Sequence, residues 1–305
     1  MDPESRAIVK PFAFLTTTLF VVVFSVGYFY KTKQKAQLTV PILPTASVVS
    51  GIADSVKKER PPARKKKKTI YLSFDDGPNK GTRQVLNIVN EQQIPVTLFI
   101  VGEHVYGSRL QSGIYDIIIK SNWIEIANHS YSHALGNKFS KFYTMPDSVV
   151  KDFKRCADSL QLKSNIVRTP GRNIWRTGTV TSTDIKLSTG AADSLRRAGF
   201  DVVGWDLEWH YTNDLKAVQT SEELSKQVDS MFTHSKTKTP EHLVLLAHDQ
   251  VFANSKDAAS LKAFIETMKQ KNEYDFAMIK DYPGLGKKQS GDSTVSANNS
   301  LILIK

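Results

Sequence analysis

Asp75 and Asp76 stand side by side in the run Ser73-Phe74-Asp75-Asp76-Gly77-Pro78. Two adjacent carboxylates repel each other unless a cation or a shared proton relieves them, so the pair is a candidate for metal binding or proton transfer. Asp-Gly-Pro is also ordinary turn chemistry. His129 and His133 follow in His129-Ser130-Tyr131-Ser132-His133. At i and i+4 two imidazoles fall on one face of a helical turn and can share a metal, although isolated pairs of this kind are common without one. One carboxylate with two imidazoles makes a three-ligand site with open positions for water, the arrangement a hydrolytic metal needs. Arg168 could hold a carboxylate in its ionised form or make a surface ion pair. His248 could be a general acid, because imidazole titrates near neutrality, or a capped core residue.

Each of these residues ends a short apolar run. Strand-like segments are expected at Thr69–Phe74, Val96–Val101, Trp123–Ala127, Ile166–Thr169, Asp201–Trp205, Leu243–Ala247 and Phe276–Ile279. Helical periodicity falls between them at Thr82–Val89, Asp147–Leu160, Ala191–Ala198, Ser221–Phe232 and Ala258–Lys269. Strand–helix alternation implies a parallel sheet with right-handed crossovers, and in such folds function collects where strands end. The expected fold is α/β, a distorted, incomplete (β/α) barrel of seven strands over residues 69–283. Asp75, His129, Arg168 and His248 would then share one rim.

The 305 residues carry a formal charge of +11. Before Ile70 there are thirteen Lys and Arg against four acids, so +9 of that charge lies there and the folded part is close to neutral. A nucleic-acid reader is therefore not expected. Residues 11–30 contain no charge and carry aromatic residues toward both ends. As a helix they would span a bilayer core, so a membrane anchor is expected, with a cleaved signal peptide as the alternative. Flanking charge does not orient it, since Arg6 and Lys10 precede it and Lys31, Lys33 and Lys35 follow. Residues 31–68 read as a Pro-containing stalk ending in the basic run Arg64–Lys68, and 284–305 as a disordered tail. The single cysteine, Cys156, excludes an intrachain disulfide and reads as a small buried apolar residue.

SFDDGP (Ser73–Pro78), HSYSH (His129–His133), RTPG (Arg168–Gly171), the DLEW stretch (Asp206–Trp209) and LLAH (Leu245–His248) resemble, in order, the five motifs of the polysaccharide deacetylase family (carbohydrate esterase family 4, NodB-homology domain). The resemblance runs from about Thr69 to about Tyr282. It implies a divalent metal, zinc first, with cobalt, nickel or manganese as alternatives. It implies removal of N-acetyl groups from an N-acetylglucosamine-containing polymer such as peptidoglycan glycan, chitin or exopolysaccharide. A catalytically inactive carbohydrate-binding protein of the same fold is the alternative.

By resemblance, Asp75 is the general base and Asp76, His129 and His133 are the metal ligands. His248 is the general acid, Arg168 orients the base, and Leu246 walls the acetyl methyl. Gly171 supplies a backbone N–H for the oxyanion. Two departures stand out. Gly171 replaces the aromatic residue that usually follows the proline, which removes one wall of the cleft. The fourth motif reads Glu208-Trp209 in place of Asp-Trp, with Asp206 nearby; either acid could hydrogen-bond His248, and Glu208 is preferred. Trp209 could stack on a sugar or pack in the core. His104, His210, His234 and His242 have no role in this scheme. Residues 173–190 read as an extra rim loop or a tolerated insertion. The partners implied are an acetylated glycan and the membrane, with the catalytic domain a monomer outside the cytoplasm.

Overall fold

A computed structural model describes residues 67–286. The expected anchor, most of the stalk and all but the first residues of the expected tail lie outside the described residues. Among the described residues no helix is long and apolar enough to cross a membrane.

The sheet has ten strands: β1 (Lys68–Gly77), β2 (Val96–Ile100), β3 (Ile124–Asn128), β4 (Ile166–Val167), β5 (Ile174–Arg176), β6 (Thr181–Thr183), β7 (Asp201–Val202), β8 (Leu207–Glu208), β9 (His242–His248) and β10 (Tyr274–Phe276). They run in the order β6-β5-β7-β4-β3-β2-β1-β9-β8, and β10 pairs with the start of β1. All pairings are parallel except β5 with β6 and β5 with β7. The seven expected strand regions all carry strands, within a few residues. The other three are short pieces whose pattern is too brief to read. Among the described residues no strand pair closes the sheet. One stretch of chain does that work, since Asp201–Val202 pairs with β4 and Leu207–Glu208, a few residues on, pairs with β9.

Strand pleating sorts the side chains. Ile70, Leu72, Phe74, Leu98, Ile100, Leu243 and Leu245 are buried in the layer between sheet and helices. Tyr71, Phe99, Ala127, Ile166, Val203 and Val244 alternate with them and fill the interior. Because both faces are covered, the central strands read as unbroken apolar runs. The helices start where their caps dictate. Asn79 caps Lys80–Gln92 and Thr220 caps Ser221–Thr233, each in a reciprocal box with the third helical residue, while Pro146 opens Pro146–Leu160. Cys156 is buried in the last of these, as expected.

Three expectations are corrected. Residues 173–190 are neither a rim loop nor a dispensable insertion. They hold the β5–β6 hairpin, whose Trp175 is fully buried against Tyr282 (ring centroids 5.5 Å apart) and whose Arg176 pairs with Asp193 at 2.6 Å. The expected tail begins too early, because the Gly284 carbonyl accepts from Gly178 N–H at 2.9 Å and Gly286 N–H donates to Asp201 at 3.0 Å. The expected stalk ends too late. Lys68 opens β1, and its ammonium lies 5.3 Å from the Phe232 ring centre.

Candidate active site

The rim is built first by β1. Asp75 continues the inward line of Tyr71 and Ser73, and a regular pleat would turn Asp76 outward into the helix layer. It does not, because the pairing with β2 slips between Phe74 and Gly77 and Asp76 takes φ 74°. This β-bulge re-aims Asp76, so two consecutive carboxylates share one pocket. Asp75 Oδ2 lies 3.6 Å and Asp76 Oδ1 3.4 Å from His129 Nε2. Asp76 Oδ1 lies 3.0 Å from His133 Nε2.

The two histidines do not share a helical turn. His129 directly follows β3 and is buried, Ser130 has φ 66°, and His133 begins a left-handed turn in which His133, Ala134, Leu135, Gly136 and Asn137 all have positive φ. The i, i+4 spacing brings the rings together (centroids 5.2 Å apart) through this loop geometry, not through an α-helix. Each ring is held by its far nitrogen. His129 Nδ1–H donates to the Arg168 carbonyl at 3.0 Å, and His133 Nδ1–H donates to Asn137 Oδ1. A carbonyl oxygen can only accept, so Nδ1 carries a proton and, in the neutral ring, Nε2 presents its lone pair toward Asp76.

The ligating atoms of Asp76, His129 and His133 all lie within 4.8 Å of one another. Asp76 Oδ1 is buried with no hydrogen-bond partner. An orphaned carboxylate oxygen converging with two imidazole lone pairs is the donor set of a divalent-metal site. Burial opposes ionisation of Asp76, yet the adjoining His129 and His133 rings outweigh it and hold the carboxyl well below its usual range. Burial likewise opposes protonation of His133, and the Asp76 carboxylate outweighs that, moving its pKa upward.

Arg168 is fully buried. Its guanidinium donates to Asp75 Oδ1 and to Ser73 Oγ, both at 2.9 Å, and to the carbonyls of Val203 at 3.2 Å and Gly204 at 3.0 Å. It lies over the Phe99 ring at 4.0 Å. Five constraints on one planar fork fix it, and through it one oxygen of Asp75 is fixed while the other faces His129. Burial lowers the Arg168 pKa, opposed by Asp75.

A cavity of about 640 Å³ opens over these groups. Asp75, Asp76, His129, His133, Gly171, Glu208, Leu246 and His248 line it, so eight of the ten expected site residues converge there. Arg168 stands behind Asp75. Trp209 is the exception. Glu208 and Trp209 are consecutive, and while Glu208 lines the cavity, Trp209 is buried in the helix layer between Phe252 and Phe264, donating its Nε1–H to the Gln219 carbonyl at 2.9 Å. It is a core residue.

The expectation that Asp206 or Glu208 hydrogen-bonds His248 is also corrected. Asp206 accepts from the backbone N–H groups of Val244 and Lys238, at 2.8 and 2.7 Å, and burial pushes its pKa to about 6. Glu208 lies 3.7 Å from His210 Nδ1. His248 Nδ1 is buried without a hydrogen-bond partner among the described residues, and its ring rests 4.8 Å from that of Tyr211.

Nor is the cleft wall beside Gly171 missing. Phe139, from a different segment, occupies it; a Cβ on Gly171 would stand 2.9 Å from the Phe139 ring. Sequence reasoning also passed over His104, Asn137, Trp205, Tyr211 and Gln250, all of which line the cavity. His104 is not a bystander, since its Nδ1–H donates to the Asp76 carbonyl at 2.8 Å. Asn137 had a readable signal, an amide four residues beyond a candidate ligand. The others gave none, because loops bring them in.

The profile of the family described as polysaccharide deacetylase matches residues 63–183, which include Asp75, Asp76, His129, His133 and Arg168. YheN of Bacillus subtilis is 26% identical over 70% of this chain and 68% of its own length. A peptidoglycan-N-acetylglucosamine deacetylase of Bacillus cereus is 25% identical over 70% of this chain and 69% of its own. Among solved structures, the catalytic domain of a peptidoglycan N-acetylglucosamine deacetylase from Eubacterium rectale superposes with a TM-score of 0.52 at 21% identity, covering 74% of this chain and 94% of that one, which shows the shared fold. The family profile lies over the bulged aspartates and paired histidines, so residues 63–183 carry a polysaccharide deacetylase domain, and the relatives that match about 70% of the chain are similar to it at about a quarter identity.

Proposed function

We propose that this protein is a metal-dependent hydrolase that removes N-acetyl groups from an N-acetylglucosamine-containing polysaccharide and releases acetate. The observation that carries the reading is the convergence of Asp76, His129 and His133 on one point, with Asp75 and His248 lining the same cavity.

Asp76, His129 and His133 would hold the divalent ion, zinc being first among candidates because imidazole and carboxylate donors suit it. When bound, such an ion supplies Lewis acidity toward an acyl oxygen and toward water. The residues of the chain do the rest. Asp75, its one oxygen held by Arg168, takes a proton from the attacking water through the other. His248 delivers a proton to the departing nitrogen, since an unprotonated amide nitrogen is a poor leaving group. Leu246, buried at the cavity wall, receives the acetyl methyl, and the Gly171 N–H meets the developing negative oxygen.

The orphaned His248 Nδ1 is the one observation that favours the alternative, an inactive carbohydrate binder. The two readings separate in one assay: metal-loaded protein, oligomers of N-acetylglucosamine and peptidoglycan as substrates, and acetate release as readout. Binding without release establishes the binder. The uncharged stretch 11–30 supports attachment to a membrane, and a polymeric cell-wall substrate would put the catalytic domain outside the cytoplasm. Fractionating cells that express the chain with and without residues 1–60 tests that placement.

A further inference from the structure

The segment that begins at His133 delivers three groups to the cleft: the His133 imidazole, the Asn137 amide that fixes its tautomer, and the Phe139 ring. Phe139 opens the short helix Phe139–Phe142, and its ring meets that of His133 nearly edge-on, at 5.9 Å and 83°. It is only partly buried. Across from it stands Gly171, with φ +62°, and a Cβ built there would approach Phe139 Cε1 to 2.9 Å and Cδ1 and Cζ to 3.1 Å. The ring and a side chain at position 171 exclude each other. The chain places the ring there from the His133 segment and leaves position 171 bare.

A partly exposed phenyl face beside a metal-ligand histidine has no polar function to offer. What it recognises is a C–H-rich surface. Leu246 is the buried apolar wall of the cavity. We propose that Phe139 is the face on which the acetamide-bearing sugar ring packs, and that glycine at 171 is required to leave room for it. This rests on the deacetylase reading above. Phe139 is then a specificity residue that touches substrate, and the missing side chain at 171 makes room for it.

The test uses the full chain loaded with zinc and a tetramer of N-acetylglucosamine. Phe139→Ala raises KM about tenfold, equivalent to about 1.4 kcal/mol, with kcat changed much less and zinc stoichiometry retained. Phe139→Trp keeps the wild-type KM. Phe139→Leu, which keeps bulk without a ring face, shifts KM in the same direction and replaces Phe139→Ala should that variant not fold. A KM within about twofold of wild type for both Phe139→Ala and Phe139→Leu overturns the proposal. If the wild-type protein releases no acetate, the deacetylase reading fails by itself, and calorimetric binding of the tetramer to the same variants decides the role of Phe139.

Discussion

Asp75 and His248 are partners in register, the last of the seven residue pairs that join the parallel strands β1 and β9. Both side chains face the interior, so the spacing between the candidate base and the candidate acid is that of neighbouring strands, about 4.8 Å between backbones. Loop geometry does not set it. Asp75→Asn and His248→Ala are each expected to lower kcat by about 10²–10⁴ with little change in zinc binding. Steady-state acetate release alongside metal content measures both. Zinc loss in step with activity would show that the two residues act on the site's assembly.

Removing a metal ligand should separate differently. Asp76→Ala, His129→Ala and His133→Ala lose stoichiometric zinc, and chelation of the wild-type protein abolishes turnover that added zinc restores. Full activity after exhaustive chelation would end the metal-dependent reading.

Asn137 touches no reacting atom, yet it sets the tautomer of His133. Asn137→Ala is expected to weaken zinc affinity about 10–100-fold, the usual cost of losing such a partner. Activity should recover at high zinc. A variant that stays impaired at saturating metal would show that Asn137 has another task.

Arg168 is a fully buried cation paired with Asp75. Arg168→Ala leaves the Asp75 carboxylate buried without its partner, for which about 3–5 kcal/mol of destabilisation is expected. Arg168→Lys keeps the charge but cannot bridge Ser73, Asp75, Val203 and Gly204 together, so activity falls further than stability. Urea midpoints and kcat of the two variants check this. Equal loss on both measures in the lysine variant would count against the orienting role.

Asp249 follows His248, is buried, and accepts hydrogen bonds from Thr82 and Asn79. Burial raises its pKa to about 7, against the lowering effect of those bonds. An acid whose folded pKa is raised binds protons in the folded state that the unfolded state has already released. Its contribution to stability is therefore full below the unfolded pKa of about 3.9 and declines as pH climbs to about 7. Relative to Asp249→Asn, the metal-free wild-type protein should lose on the order of a few kcal/mol between pH 4 and pH 7. Denaturation midpoints at the two pH values report it. A difference between the proteins that is flat across this range would show Asp249 ionised throughout.

Much of the site was legible because it lies where apolar runs end. Seven strand regions, the Asp75–Asp76 pair, His129, Arg168 and His248 could be read from composition and order alone, since parallel strands buried on both faces have few alternatives to Ile, Val and Leu. What a run of residues cannot display is a change of direction. The bulge that turns Asp76 inward and the left-handed turn that brings His133 to it each depend on backbone conformations set by pairing with other strands. The same holds for side chains reached across the fold. Trp209 and Trp205 read alike in sequence, but Trp209 packs between Phe252 and Phe264 in the core whereas Trp205 stands at the cavity.

The sequence by itself determined the chemistry available: which carboxylates, imidazoles and guanidinium stand at strand ends, and in what order. Only the tertiary structure decided which of them meet. It left His248 Nδ1 without the acid expected for it, and it filled the space above Gly171 with Phe139 from another segment. The reason is that local pattern constrains which face a residue takes, whereas contact between distant residues follows from register and from which loop reaches furthest.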